Sequence, residues 1–182
     1  MLDPSDGDLV LRTRQGRLEA YGELVRRHQT SVFNVCYRLM AERAEAEDMA
    51  QEAFVRAYQR LATFDTSRPF GPWIRRVAAN LCLNRFQRRT PAQVSLEDET
   101  DQVEADPSAA PEQARVQQEQ AERLRAAILD LPPHDRAVIE LRHFHDLSYQ
   151  SIARTLDMSL SDVKSHLFRA RRRLAARLTD HD

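Results

Sequence analysis

The chain has 182 residues, 42% apolar and 30% charged, and a formal net charge of -1; no apolar run reaches the roughly 20 residues that crossing a bilayer requires. The opening MLDPSDGDLVLRTRQ carries acids where a secretory signal is basic, so the expected location is cytoplasmic. Cys36 and Cys82 lack CxxC or Cys/His ligand spacing and read as buried thiols, the six histidines form no catalytic or metal constellation, and no phosphate-binding glycine loop occurs, so no enzyme activity, metal or cofactor is expected.

Four glycines, with arginine at all but one of the 27 basic positions and much Ala, Leu, Glu and Gln, predict an all-α protein. From the amino end, DLVLRTRQGRLEAYGELVRRHQTSVFNVCYRLM predicts helices with Leu9, Leu18, Tyr21, Leu24, Val25, Val32, Val35 and Leu39 inward. AEAEDMAQEAFVRAYQRL follows, with Met49, Ala50, Ala53, Phe54, Ala57, Tyr58 and Leu61 on one face and Asp48, Gln51, Glu52 and Arg56 on the other. Such a polar face serves as solvated surface or as a docking face, and its spacing does not choose between them.

The next segment is ATFDTSRPFGPWIRRVAANLCLNRFQRR. Its helical period turns Ile74, Val77, Ala78 and Leu81 inward and places Trp73, Arg76, Asn80, Asn84 and Gln87 on a separate face, with Arg75, Arg85, Arg88 and Arg89 adding charge. Amides beside an aromatic ring and phosphate-seeking arginines suit unstacked, single-stranded bases. Core packing of Trp73 and plain solvation of the asparagines account for the same pattern equally well.

PAQVSLEDETDQVEADPSAAPEQA, residues 91–114, holds seven acids, three prolines, no Lys or Arg and no aromatic residue. Such a stretch cannot bury enough apolar surface to offset its ordering entropy and reads as a flexible linker. It contributes -7, so the remaining residues sum to +6. The near-neutral total therefore hides two basic segments, 71–90 and 163–178, neither of which contains an acid. The expected organisation is two small helical domains, 1–90 and 119–182, joined by an acidic linker, 91–118.

In LPPHDRAVIELRHFHDLSYQSIARTLDMSLSDVKSHLFRARRRL, Pro132 and Pro133 suit a helix start, and Val138, Ile139, Leu141 and Phe144 supply its apolar face. Ser148 caps a short helix with Ile152, Ala153 and Leu156 inward. Asp157 then takes the left-handed turn position, and Ser159 caps the last helix with Asp162 in capping-box register. On that helix Val163, Leu167, Ala170, Leu174 and Leu178 form an apolar stripe, while Ser161, Lys164, Ser165, Phe168, Arg169 and Arg172 point away from it or flank it. Two capped helices around a tight turn describe a helix-turn-helix, whose second helix reads the major groove near its amino end. A solvated arginine-rich helix is the plainer alternative.

This last segment resembles the region-4 domain of bacterial sigma-70 family factors, especially the extracytoplasmic-function (ECF) group, through its LPP, LSY, IA, VKS and RAR elements. Response-regulator output domains use a similar helix-turn-helix. AEDMAQEAFVRAY and FGPWIRRVAANLCLNRFQRR resemble region 2 of the same ECF factors, and the two blocks occur in the family's order. The rival class is a stand-alone helix-turn-helix regulator, which has no need of the EDMAQEAF block or the Asn80 helix.

The resemblance implies a factor that gives core RNA polymerase its promoter specificity. It implies that Asp48, Gln51, Glu52 and Arg56 dock on the β′ clamp helices. The loop from Phe64 to Phe70 would form a pocket for a flipped minus-ten base, with Trp73, Arg76, Asn80 and Asn84 facing the melted strand. Many family members carry Asp at the position of Asn84. For the minus-thirty-five duplex it implies Lys164, Ser165, Phe168 and Arg169 on bases, and Arg142, Tyr149 and Arg171 on phosphates. Here Ser161, Asp162 and His166 replace residues of the family's common G-T-V-K-S-R run, and Asp162 is expected to cap its helix. The resemblance further implies that the β flap tip sits in an apolar groove of this domain, that an anti-sigma factor is a partner, and that the linker approaches the polymerase cleft and RNA exit channel.

Overall fold

The structure, a computed structural model, describes residues 4–88 and 112–179. The chain divides into two compact units, 1–86 and 87–182. Most of the stretch expected as a linker, and Arg89, lie outside the described residues. Helix α5 begins at Glu112, inside the 91–118 span read as linker, so its last residues are helical. Every described element is a helix or a helical turn.

In the first unit, α1 (Asp6–Arg14), α2 (Leu18–Met40), α3 (Arg43–Arg60) and α4 (Phe70–Arg88) enclose one core. Ser5 and Asp8 form a capping box that starts α1, each satisfying a backbone N–H that the helix leaves unpaired. Ala41 turns the chain after α2 in the left-handed conformation (φ 62°), and the Glu42 carboxylate accepts from the Ala44 and Glu45 N–H groups to start α3. The buried face of α3 is mostly alanine (Ala46, Ala50, Ala53 and Ala57), which lets this helix lie close on α2, where Leu24, Val32, Val35 and Leu39 are buried. The Tyr21 hydroxyl donates to the Phe54 carbonyl at 2.5 Å, and burial raises its pKa. Cys36 and Cys82 are fully buried thiols outside any disulfide.

In the second unit, α5 (Glu112–Leu129), α6 (Pro133–Ile139), α7 (Tyr149–Leu156) and α8 (Leu160–Thr179) bury Ile128, Leu131, Val138, Ile139, Leu141, Ile152, Leu156, Val163, Leu167 and Ala170. Residues Glu140–Phe144 continue α6 as a π-helical turn. That turn holds an extra residue, so it shifts the inward phase of the helix.

The shift corrects one expectation. Phe144, read as inward, is 41% exposed, while the His145 side chain is buried against Glu140, with Nε2 3.2 Å from Oε1. Leu18 and Leu178, also read as inward, are exposed. They occupy the ends of α2 and α8, where the apolar stripe outruns the helices that cover it. Tyr58 is exposed too and packs edge-on to Tyr21 at 5.0 Å.

Candidate nucleic-acid interfaces

On α3 the side opposite the alanine face carries Asp48 and Gln51, both exposed, and Glu52 and Arg56, both half-buried. Arg56 Nε donates to Glu52 Oε1 at 2.8 Å. An i,i+4 pair this open to solvent contributes a few tenths of a kcal/mol, about 0.3–0.5.

After α3 a 3-10 turn, Leu61–Thr63, leads into a loop that ends at α4. Arg14 of α1 binds the carbonyls of Leu61 and Phe64 and so fixes the start of this loop. Asp65 accepts from the Ser67 hydroxyl at 2.7 Å and the Ser67 N–H at 3.0 Å, and these bonds lower its pKa. At the far end Gly71 sits so close to His28 that a Cβ would lie 3.1 Å from Cε1. His28 Nε2 is in turn 2.7 Å from the Asp6 carboxylate. Residues of α1 and α2 thus hold both ends of the loop.

The aromatic residues divide between core and surface. Phe64 and Phe70 are buried and pack on one another and on the half-buried Trp73, with ring centroids 4.7–5.7 Å apart. The exposed loop residues are Asp65, Thr66, Ser67, Arg68 and Pro69. Of the six residues expected at the melted strand, Arg76, Asn80 and Asn84 are exposed on α4, Trp73 reaches the surface in part, and Phe64 and Phe70 lie underneath. Trp73 packs against Phe64 and Phe70 with one part of its ring and borders the exposed row with the rest.

In the second unit the helix-turn-helix forms as its residue pattern predicts. Ser148 accepts from the Ser151 N–H, Asp157 is left-handed (φ 53°), and the Met158 N–H donates to the Ala153 carbonyl at 2.9 Å. Ser159 Oγ accepts from the Asp162 N–H at 3.0 Å and donates to the Asp162 carboxylate at 2.7 Å, so Ser159 caps the helix and Asp162 holds the capping hydroxyl in place. Lys164, Ser165, Phe168, Arg169 and Arg171 are exposed on α8, with Phe168 at 68%. An aromatic ring that open, between a lysine and an arginine, leaves a large apolar surface in water and suits contact with a thymine methyl group.

Arg142 and Tyr149 are half-buried neighbours. The guanidinium lies 5.4 Å from the Tyr149 ring centroid, and Nη1 donates to the Leu147 carbonyl at 3.0 Å. Arg173, also on α8, pairs with buried Asp135 at 2.6 Å.

Sequence reading passed over Asp135, His166 as its partner, and Arg14. Their partners lie 31 to 50 residues away in the chain, beyond any helical spacing. Among the described residues no group of His, Cys, Asp and Glu is placed to hold a metal, and no helix is long and apolar enough to cross a membrane.

Residues 24–91 match the family Sigma-70 region 2, and residues 121–174 match Sigma-70, region 4. The ECF RNA polymerase sigma factor SigW of Bacillus subtilis is 34% identical over 179 residues, covering 94% of this chain and 95% of that protein. The RNA polymerase sigma-H factor of Pseudomonas aeruginosa is 33% identical over 174 residues, covering 91% and 90%. The sigma factor RpoE of Bartonella quintana, solved in complex with the anti-sigma factor NepR, shares the fold with a TM-score of 0.59 at 17% identity, over 89% of this chain and 98% of that one. A stand-alone regulator accounts for the region-4 match and leaves the region-2 match without a purpose. The chain belongs to the extracytoplasmic-function group of the sigma-70 family, factors that bind core RNA polymerase and direct promoter-specific initiation without catalytic chemistry of their own.

Proposed function

We propose that this sigma factor divides its work among three sets of residues. Asp48, Gln51, Glu52 and Arg56 dock on the β′ clamp helices. Trp73, Arg76, Asn80 and Asn84 meet the melted minus-ten strand, on a loop and helix held from below by Phe64 and Phe70. Lys164, Ser165, Phe168 and Arg169 read the minus-thirty-five bases, with Arg142, Tyr149 and Arg171 on the flanking phosphates. The β flap tip takes the apolar groove of the second unit. The protein works in the cytoplasm, where an anti-sigma factor covers the polymerase-binding faces until the factor is released. The acidic stretch between the domains imitates a phosphate backbone in the polymerase cleft.

The observation that carries the promoter-reading assignment is the sidedness of α8. Val163, Leu167 and Ala170 are buried, while Lys164, Ser165, Phe168 and Arg169 are all open to solvent. A helix held by one face and polar on the other fits groove readout.

The test is run-off transcription by core polymerase with the full chain, over a promoter library varied in both elements. Arg169→Ala is expected to lose about 1–3 kcal/mol of discrimination at one minus-thirty-five base pair. Asp48→Ala with Gln51→Ala is expected to weaken core binding while sparing the fold. Unchanged base preference removes Arg169 from the reading set, and unchanged core affinity removes the α3 pair from the clamp set.

A further inference from the structure

Asp135 lies in the first turn of α6 with 2% of its surface exposed, and both of its carboxylate oxygens meet the recognition helix. Oδ1 is 2.7 Å from His166 Nδ1, and Oδ2 accepts from Arg173 Nη1 at 2.6 Å. Arg169 Nε approaches Oδ1 at 4.0 Å. A buried carboxylate without partners is strongly unfavourable, so this one holds its contacts in place.

The geometry also fixes a tautomer. A carboxylate only accepts, so the proton in the His166 pair sits on Nδ1. That nitrogen then offers no lone pair to Arg169 Nη2, which lies 3.0 Å away. The guanidinium is drawn there by the carboxylate behind the imidazole. Asp135 and His166 together form a backstop for the Arg169 fork, inside the domain and next to the exposed face of α8.

We propose that Asp135, together with the His166 ring it holds in place, is a positioning residue for minus-thirty-five specificity: it orients Arg169 toward one base pair. The proposal rests on the reading of Arg169 as a base contact. Bidentate recognition of a base by arginine depends on the angle of its planar fork, and a fork already placed loses less freedom on binding. The buried negative charge also weakens the attraction of this face for phosphates in general. Neutralising it loosens the fork and strengthens sequence-independent binding. Discrimination therefore falls on both counts.

The experiment uses holoenzyme assembled from core polymerase and the full chain, with promoters in which each minus-thirty-five base pair is replaced in turn. Arg169→Ala locates the base pair that Arg169 reads, by erasing a preference on the order of ten- to a hundred-fold. Asp135→Asn, which keeps the shape, and His166→Ala are expected to reduce that same preference to about threefold or less, leaving the others within about twofold. His166→Asn keeps a donor at the δ position and is expected to retain the preference.

If Arg169→Ala erases the preference while Asp135→Asn and His166→Ala keep it, or scale binding to every promoter equally, Asp135 is an ion-pair partner for stability and the proposal is overturned. If Arg169→Ala erases nothing, the base-contact reading has failed, and this proposal falls with it. Should Asp135→Asn unfold, His166→Ala carries the test, because its half-buried ring lies at the helix surface.

Discussion

Arg14, on α1, holds the Leu61 carbonyl through Nε at 3.0 Å and Nη2 at 2.8 Å, and reaches the Phe64 carbonyl with the same Nη2. The Leu61 carbonyl also accepts from the Phe64 N–H at 3.2 Å, closing the turn after α3, where the helix dipole favours a cation. The arginine therefore ties the turn after α3 to α1 and sets the direction in which the loop before α4 departs. Arg14→Ala is expected to cost about 1 kcal/mol of stability, the low end for a charge-assisted bond in a partly open site. Open-complex formation slows while core binding holds. Arg14→Lys restores part of the stability, since a single ammonium cannot span two carbonyls as a fork does. Equal loss of core binding and promoter opening in Arg14→Ala would place the defect in the fold of the unit and not in the loop.

Phe70 and Asn80 lie on the same helix, with opposite expectations. Phe70 is 1% exposed, so Phe70→Ala removes a ring from a packed core at a cost of about 3–5 kcal/mol. Against a total stability of about 5–15 kcal/mol, that is enough to leave part of the chain unfolded. Asn80 is exposed, so Asn80→Ala is expected to change stability by less than about 0.5 kcal/mol while impairing promoter melting. Thermal unfolding beside a base-unstacking fluorescence assay separates the two. Normal opening by the Asn80→Ala protein takes this amide out of the strand contacts.

These contrasts show which parts of the structure could be read from sequence. Caps and turns are local: Ser148, Asp157, Ser159 and Asp162 act where their residue types predict. Apolar stripes placed most of both cores, and the exposed rows on α3, α4 and α8 are what those stripes leave over. The failures have two physical sources. A period of 3.6 residues continues through Phe144, but the π-helical turn rephases the chain and puts His145 inside. Partners distant in sequence leave no periodic trace, so Asp135 reads as an ordinary acid at a helix start until His166 and Arg173 fold over it. Phe64 and Phe70 lie between these cases. The sequence marks them as flanking a loop, and only packing against Trp73 turns them inward.

Arg136 tests how much a buried cation contributes to the second unit. Its Nη1 donates to the Leu129 carbonyl at the end of α5 at 2.8 Å, while Nε is buried without a hydrogen-bond partner. Burial pushes its pKa down to about 10, which leaves it charged at neutral pH. One bond to a helix end offsets only part of the desolvation cost, so an apolar chain of similar volume is nearly as good. Arg136→Met is expected to lie within about 1.5 kcal/mol of the parent, whereas Arg136→Ala leaves a cavity and costs about 2–4 kcal/mol. Denaturant unfolding of the full chain measures both. Equal losses for Met and Ala would make the charge, and not the volume, the contribution of this residue.

His143 connects the phosphate-contact assignment to pH. Burial, then the charges of Arg171 and Arg142, hold its pKa below the usual 6.5, with Asp146 opposing. In the free protein the unfolded chain therefore takes up this proton first as pH falls. Stability from this group is complete above 6.5 and declines on acidification toward the lower folded value. The proposed phosphate contacts predict the opposite sign for DNA binding. A phosphate held by Arg142 and Arg171, as proposed, would offset their repulsion and raise the His143 pKa, so that binding would take up a proton and tighten as pH falls. Holoenzyme affinity for a cognate promoter is measured between pH of about 7.5 and about 6 for the parent and for His143→Gln. The other histidines are common to both proteins, so the difference between the two slopes isolates this ring. The parent is expected to gain more affinity on acidification than the variant. Parallel slopes would mean that no phosphate approaches His143, and would remove Arg142 and Arg171 from the phosphate contacts together.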